Sequence, residues 1–321
     1  MAISHPDLSI VLPAHNEAEN VAPICSALKQ AVGSLGEVEI IFVDDGSSDG
    51  TLAAIRAAAA QDPAVRYVSF TRNFGHEAAL RAGLRHSRGR AAIVMDADFE
   101  HPPEIVPELV RKWQAGFKIV TGQRLDDAAA VPAFKRVSSR LFYWFLDDIG
   151  DIRIEPGSSN FILLDRVAVD AINSFEDHDL FLRGVVRWLG YPLATVTYRQ
   201  GRRRHGTSKY SLKRMLDLAV TGIAAHSVRP LRFAVWLSLA FFLLAMLLVI
   251  YSIVSFLFVR HTVAGWSSIM GAIALLGAAQ LLVLGIIGEY VGRILRETRK
   301  RPSYMVAETE ADAAPASSRT G

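Results

Sequence analysis

The chain has 321 residues, 51% of them hydrophobic, and a formal net charge of +3. The apolar share exceeds the roughly 45–50% of an average soluble protein, and so small a net charge gives no reason to expect nucleic acid as a partner. A single cysteine, Cys25, excludes an intramolecular disulfide framework and a multi-cysteine metal site, and reads as a small buried apolar residue.

The start, MAISHPDLSIVLPAHNE, has no basic flank followed by a long apolar core, so no cleaved secretory signal is expected. Short β-branched runs then alternate with helical stretches. LSIVLPA is expected as a strand, Glu19 to Val32 as a helix, VEIIFVDDG as a strand and Thr51 to Gln61 as a helix. VRYVSFT is the third strand, His76 to Ser87 the third helix and AAIVMDAD the fourth strand. This alternation predicts an α/β fold of Rossmann-like kind, a mostly parallel sheet with helices on both faces. In such sheets the ligand crevice lies outside the carboxyl ends of the strands. Polar residues collect at that edge: Pro13 to Glu17, Asp44 to Ser48, Arg72 to His76 and Asp96 to Glu100. No G-x-G-x-x-G or Walker fingerprint follows the first strand, where the turn is PAHNEAEN, so dehydrogenase and P-loop readings lose their main support.

Two acidic stretches carry the chemistry. VDDGSSDGT reads as a tight turn capping a helix through Ser47, Ser48 or Asp49, which explains Gly46, Asp49 and Gly50. It leaves open whether Asp44 and Asp45, at the strand end, also accept hydrogen bonds from a base or from ribose hydroxyls. In AAIVMDADFEHPPE the acids Asp96, Asp98 and Glu100 alternate at the end of a buried run. If the strand has ended and a turn begun, Asp96 and Asp98 approach one point. A divalent cation such as Mg²⁺ or Mn²⁺, which prefers carboxylate oxygens together with substrate phosphate oxygens, would balance that charge. A solvated strand end is the bland alternative, and a bare D-x-D is a weak signal; its position gives it force.

Farther along, Phe233 to Val259 and Thr262 to Gly288 each run about 27 residues without a charged side chain, beyond the roughly 20 that span a bilayer. Two transmembrane helices are expected. Arg229 and Arg232 precede the first, and Arg293, Arg296, Arg299, Lys300 and Arg301 follow the second, while the loop between offers Arg260 and His261. The positive-inside rule then places both ends, and the α/β domain, on the cytoplasmic side. The polar end, AETEADAAPASSRTG, is expected to be disordered.

Taken in order, IVLPAHNEAEN, IIFVDDGSSDGT, FTRNFGHEAALRAGL, VMDADFEHPPE and GTSKYSLKRM, followed by a membrane hairpin, resemble the family-2 glycosyltransferases of GT-A fold. Within these they are similar to the polyprenyl-phosphate glycosyltransferases, which include dolichol-phosphate mannose synthase and bacterial undecaprenyl-phosphate sugar transferases. The resemblance covers about Leu8 to about Arg301. It implies an inverting transfer from a UDP- or GDP-sugar to a polyprenyl phosphate at the cytoplasmic face of the inner membrane. It assigns Pro13, His15, Glu17, Asp44 and Asp45 to the nucleotide, and Asp96 and Asp98 to catalysis through Mg²⁺ or Mn²⁺ on the donor pyrophosphate. Glu100 stands where the family more often carries Gln. Arg203, Ser208 and Lys209 are implied to contact the acceptor phosphate. Relatives often carry an Asp near the proposed base, whereas this chain reads RIEPGSSNF, with Gly157 and Asn160 at the places where that Asp is sought. Glu155 is the nearest acid and the substitute candidate, unless the ionised phosphate attacks unaided.

The expected organisation is a glycosyltransferase domain over 1–210, an amphipathic interfacial helix over 211–230, a transmembrane hairpin over 231–290 and a basic helix with a disordered tail over 291–321. Gly271, Gly277 and Ala278 offer small surfaces for helix packing, and the family often assembles into homo-oligomers, here a dimer or tetramer. A processive polysaccharide synthase would need more membrane helices and a Q-x-x-R-W motif, which is absent. A non-catalytic membrane adaptor would not need the D-x-D and the basic acceptor stretch.

Overall fold

The computed structural model describes residues 6–125, 158–177, 181–199, 229–258, 265–299 and 301–313. Contacts divide these into two units, the first holding the sheet and the C-terminal segment, the second holding two long helices.

The sheet is built as the alternation predicts. Strands β1 (Leu8–Ala14), β2 (Val38–Asp44), β3 (Val65–Phe70) and β4 (Ala91–Val94) are separated by helices α1 (Ala18–Val32), α2 (Thr51–Gln61) and α3 (His76–His86). β1 pairs in parallel with β2 on one side and β4 on the other, and β2 with β3. The chain therefore winds outward from β1 to β3, then returns to the other side of β1. That reversal is a topological switch point, with the crevice at the carboxyl ends. Every β1 residue is buried. Both faces of β1 are covered, which is why its sequence is a continuous apolar run rather than an alternating one.

Between β4 and residue 211 no element is predicted from the sequence, and the structure adds α4 (Val106–Gln114), β5 (Ile119–Arg124), β6 (Ser158–Asp165), α5 (Arg166–Asn173), α6 (Leu182–Trp188) and β7 (Leu193–Tyr198). β6 runs antiparallel between β4 and β5, and β5 pairs in parallel with β7. With β8 (Val306–Thr309), the eight strands of the sheet among the described residues run in the order β7-β5-β6-β4-β1-β2-β3-β8. Strand β4 stops at Val94, earlier than the AAIVMDAD run suggests, and Asp96 and Asp98 lie in the turn beyond it.

The C-terminal segment corrects one expectation. Residues 307–313 belong to the tail expected to be disordered, yet β8 (Val306–Thr309) adds antiparallel to β3 and the short helix α9 (Glu310–Ala313) follows. Composition alone read the acids as a solvated tail. Each meets a cation or a cap on the sheet: Glu308 takes Arg56 Nε and Nη2 at 2.8 and 2.6 Å, Glu310 takes Arg66 Nε at 2.6 Å, and Asp312 accepts from Thr309 N–H at 3.0 Å. Arg66 also reaches Glu39 at 2.7 Å, so β8 completes a charge network around a half-buried guanidinium. Without β8 the unpaired edge of β3 would face solvent as a template for another strand.

In the second unit, α7 (Arg229–Phe258) and α8 (Trp266–Thr298) pack against each other. The basic segment from residue 291 is the last turns of α8 rather than a separate helix. Leu275–Gly292 is long and apolar enough to cross a membrane, with a mean hydropathy of 1.7 and none of its residues buried; on α7 a shorter apolar stretch, Ala234–Leu244, stands out. Of the expected interfacial helix over 211–230, residues 211–228 lie outside the described residues, and residues 229 and 230 open α7.

Candidate active site

The turns after β1 and β2 interlock. Asn16 adopts φ 58°, a conformation Asn tolerates better than most residues. Its N–H donates to Ser47 Oγ at 3.0 Å and its Oδ1 accepts from Ser48 N–H at 2.9 Å. Glu17 N–H donates to Thr51 Oγ1 at 2.8 Å. His15 Nδ1 lies 2.9 Å from the Asp45 carbonyl, which only accepts, so the ring proton sits on Nδ1. Nε2 then accepts from Asn16 Nδ2 at 3.3 Å. The residues expected to meet the nucleotide are thus brought together on one rim. Pro13 is the exception, being buried within β1 opposite Val43.

Asp44 and Asp45 have local structural work. Asp44 Oδ1 accepts from Ser47 N–H at 3.2 Å and Oδ2 from Ser69 Oγ at 2.9 Å. Asp45 Oδ1 accepts from Phe74 N–H at 2.6 Å and Oδ2 from Gly75 N–H at 2.9 Å. Burial pushes the Asp45 carboxyl above its ordinary range, and those two N–H groups oppose the rise. The loop that Asp45 grips, residues 71–75, passes directly over Gly46. A Cβ there would lie 2.3 Å from the Arg72 carbonyl carbon, and Gly46 has φ 61°, so glycine is required on both counts.

Across the crevice, the turn after β4 is wound around Phe99, whose φ of 67° is rare for a bulky residue. Glu100 N–H donates to Asp98 Oδ1 at 3.0 Å, closing that turn. Asp98 is buried and Asp96 half-buried. His76, the first residue of α3, places Nε2 3.6 Å from Asp96 Oδ1. The same nitrogen lies 2.9 Å from Asn160 Nδ2 on β6, while Asn160 Oδ1 accepts from Arg183 Nε at 2.6 Å. Arginine only donates, so the Asn160 amide is oriented with its N–H toward His76. Nε2 is then the accepting nitrogen of that contact. His101 behaves alike: its buried Nδ1 accepts from Asp96 N–H at 2.9 Å, and burial holds the ring's pKa low against the pull of Asp96 and Asp98. Its ring stacks on Phe161, centroids 5.1 Å apart.

Among the expected site residues, Asp96 and Asp98 share one turn, at the same carboxyl edge of the sheet as the interlocked rim. Glu155, Arg203, Ser208 and Lys209 lie outside the described residues. The structure adds His76, His101, Asn160 and Arg183. Extending the β4–β6 register two residues past the Val94–Ile162 pair sets Asn160 opposite Asp96, a relation between residues 64 apart that no local motif carries. His76 was legible as the polar end of the third strand's turn, but not its partner.

Among the described residues no group of three His, Cys, Asp or Glu side chains is arranged to hold a metal ion. Asp96 and Asp98 supply two hard carboxylates. That donor set suits Mg²⁺ or Mn²⁺ only where a substrate's phosphate oxygens and water complete the coordination.

An α/β sheet with two acids at its switch-point edge can host many chemistries, and the comparisons give the class. Residues 9–171 match the family described as Glycosyl transferase family 2, and residues 229–294 match the GtrB C-terminal hairpin. The bactoprenol glucosyl transferase of Shigella phage SfX is 36% identical over 301 residues, 93% of this chain and 98% of that protein. The prophage bactoprenol glucosyl transferase homolog of Escherichia coli K12 is 35% identical over 300 residues, with the same two coverages. Among solved structures, the mannosyltransferase PcManGT of Pyrobaculum calidifontis, in complex with GDP-Man and Mn²⁺, covers 88% of each chain at 18% identity and a TM-score of 0.45, which bears on neither donor nor metal here. The chain belongs to glycosyl transferase family 2 and is a glycosyltransferase.

Proposed function

We propose that this glycosyltransferase moves a sugar from a UDP- or GDP-sugar to the phosphate of a polyprenyl lipid, with inversion, on the cytoplasmic face of the membrane. The observation that carries the reading is likeness along nearly the whole chain, hairpin included, to proteins named for transfer of glucose to bactoprenol. Glucose is therefore the first sugar to test. The helices α7 and α8 are read as two membrane spans, supported by the exposed apolar side chains of both, such as Trp236 and Leu281. Arginines flank the pair, which favours cytoplasmic termini.

In this reading the rim of His15, Glu17, Asp44 and Asp45 faces the base and ribose, and Asp96 and Asp98 would hold a divalent cation against the donor diphosphate. Bound there, the cation would offset negative charge on the departing nucleoside diphosphate. An acceptor phosphate oxygen attacks the anomeric carbon from the face opposite the leaving group. The new C–O bond forms as the bond to the diphosphate breaks, and the electron pair leaves with the diphosphate oxygen. An acceptor already ionised at neutral pH has no proton to surrender, so alignment matters more than a base. Glu155 is the candidate base if one is used. A homo-oligomer assembled through the long helices is part of the proposal.

The test incubates membranes containing the protein with undecaprenyl phosphate and a panel of UDP- and GDP-sugars, followed by mass analysis of the lipid. A hexosyl-phosphate lipid from one donor is expected; donor hydrolysis with no lipid product would overturn the acceptor assignment. Arg203→Ala and Lys209→Ala should each raise the KM for the lipid phosphate about tenfold, as loss of a charge-assisted contact does, and leave the donor KM within about twofold. Equal losses toward both substrates would move these residues to the donor site.

A further inference from the structure

The segment that returns to the sheet after α8 reaches toward the active edge as well as covering β3. Thr71 N–H donates to the Met305 carbonyl at 3.0 Å, so the pairing continues past β3 into the first residue of the 71–75 loop. One residue earlier, the Tyr304 ring stacks on Phe70, centroids 4.9 Å apart and planes within 15°. Phe70 in turn meets Phe74 edge to face at 5.8 Å. Tyr304, Phe74 and Ala78 all pack on one apolar cluster formed by Ile41, Val43, Val68, Phe70, Ala79 and Ala82. The loop is thereby held from two sides, by the Asp45 carboxylate through Phe74 and Gly75 and by Tyr304 through Phe70 and Phe74. It ends at Gly75, φ 100°, and the next residue is His76.

We propose that the C-terminal segment, residues 301–313, is a positioning element of the transferase, in which Tyr304 props the 71–75 loop and through it sets His76 against Asp96 and Asn160. This rests on the reading of Asp96 and Asp98 as the pair that holds the donor. A stacked ring fixes the loop laterally, where two hydrogen bonds from Asp45 fix only its amides. A donor-holding carboxylate loses effectiveness steeply with small displacements. The β3–β8 register, with Val68 opposite Thr309 and, past an irregularity, Phe70 opposite Val306, brings Tyr304 to Phe70, and the ion pairs of Glu308 and Glu310 with Arg56 and Arg66 tie the same segment down.

The experiment uses the full-length protein in membranes, with Tyr304→Ala, Tyr304→Phe, His76→Ala and the double variant Tyr304→Ala/His76→Ala. Folding is followed by thermal melting, and all assays are run well below the melting temperature. Tyr304→Ala should lower kcat about tenfold, with the lipid-phosphate KM within about twofold, and Tyr304→Phe should restore kcat because the ring and its stack remain. In the His76→Ala background, Tyr304→Ala should cost less than about twofold more, since residues acting through one contact are not additive. A wild-type kcat for folded Tyr304→Ala, or the same tenfold cost in both backgrounds, would overturn the proposal. If the wild-type protein makes no lipid-linked sugar, the acceptor reading falls by itself. The same four variants are then ranked by nucleotide-sugar hydrolysis, which reports on His76 and Asp96 without the lipid.

Discussion

Asp98→Asn lowers transfer by about 10³-fold or more, and EDTA does the same to the wild-type protein. The variant isolates charge from architecture. Asn keeps an oxygen that accepts the Glu100 N–H and so preserves the turn around Phe99, which Asp98 closes at 3.0 Å. It removes one of the two carboxylates proposed to hold a cation against the donor diphosphate. Holding charge on a leaving diphosphate is worth several kcal/mol of transition-state stabilisation, and each 1.4 kcal/mol is about tenfold in rate. Asp98→Ala should fail equally in transfer and melt lower, having lost the turn acceptor as well. Transfer by the purified enzyme in EDTA at near the wild-type rate would remove the metal from the mechanism, and activity in Asp98→Asn would remove Asp98.

The second large effect is expected at Asp45, where a nucleotide role and a structural role make different forecasts. Both carboxylate oxygens accept backbone N–H groups of the 71–75 loop, at 2.6 and 2.9 Å. Asparagine has one acceptor oxygen, and its NH₂ would face the other N–H, donor against donor. An amide left without an acceptor costs about 1–3 kcal/mol. In a unit of this size roughly 2 kcal/mol lowers the melting temperature by about 6 °C. With the loop loosened, His76 loses its setting against Asp96, and transfer should fall by about 10²-fold, the scale of a small misplacement at a reacting centre. Should Asp45→Asn melt like the wild type while only the donor KM rises, Asp45 serves the nucleotide directly and the loop stands without it.

Much of this was legible in the chain. Continuous apolar runs alternating with stretches of period 3.6, punctuated by Gly, Pro and Asp, determine four parallel strands and three helices, because a strand covered on both faces is apolar throughout while a helix buries one face. The same logic sets Asp44, Asp45, Asp96 and Asp98 on one edge, since in a parallel α/β sheet every strand's carboxyl end points the same way. Two long apolar runs mark the second unit equally plainly. What the chain could not show were pairings between residues far apart. Asn160 stands opposite Asp96 only because β6 runs antiparallel to β4 in one particular register. The acids of the C-terminal segment look like a solvated tail in composition. They become an ordered edge strand only because Arg56 and Arg66 present their guanidinium groups along the edge that β8 covers. Local pattern reflects what a residue's immediate neighbours must bury. Which strand covers which edge, and hence which side chains meet across the crevice, is decided by the free energy of the whole sheet, where a charged segment is ordered if its opposite charges are already fixed in place.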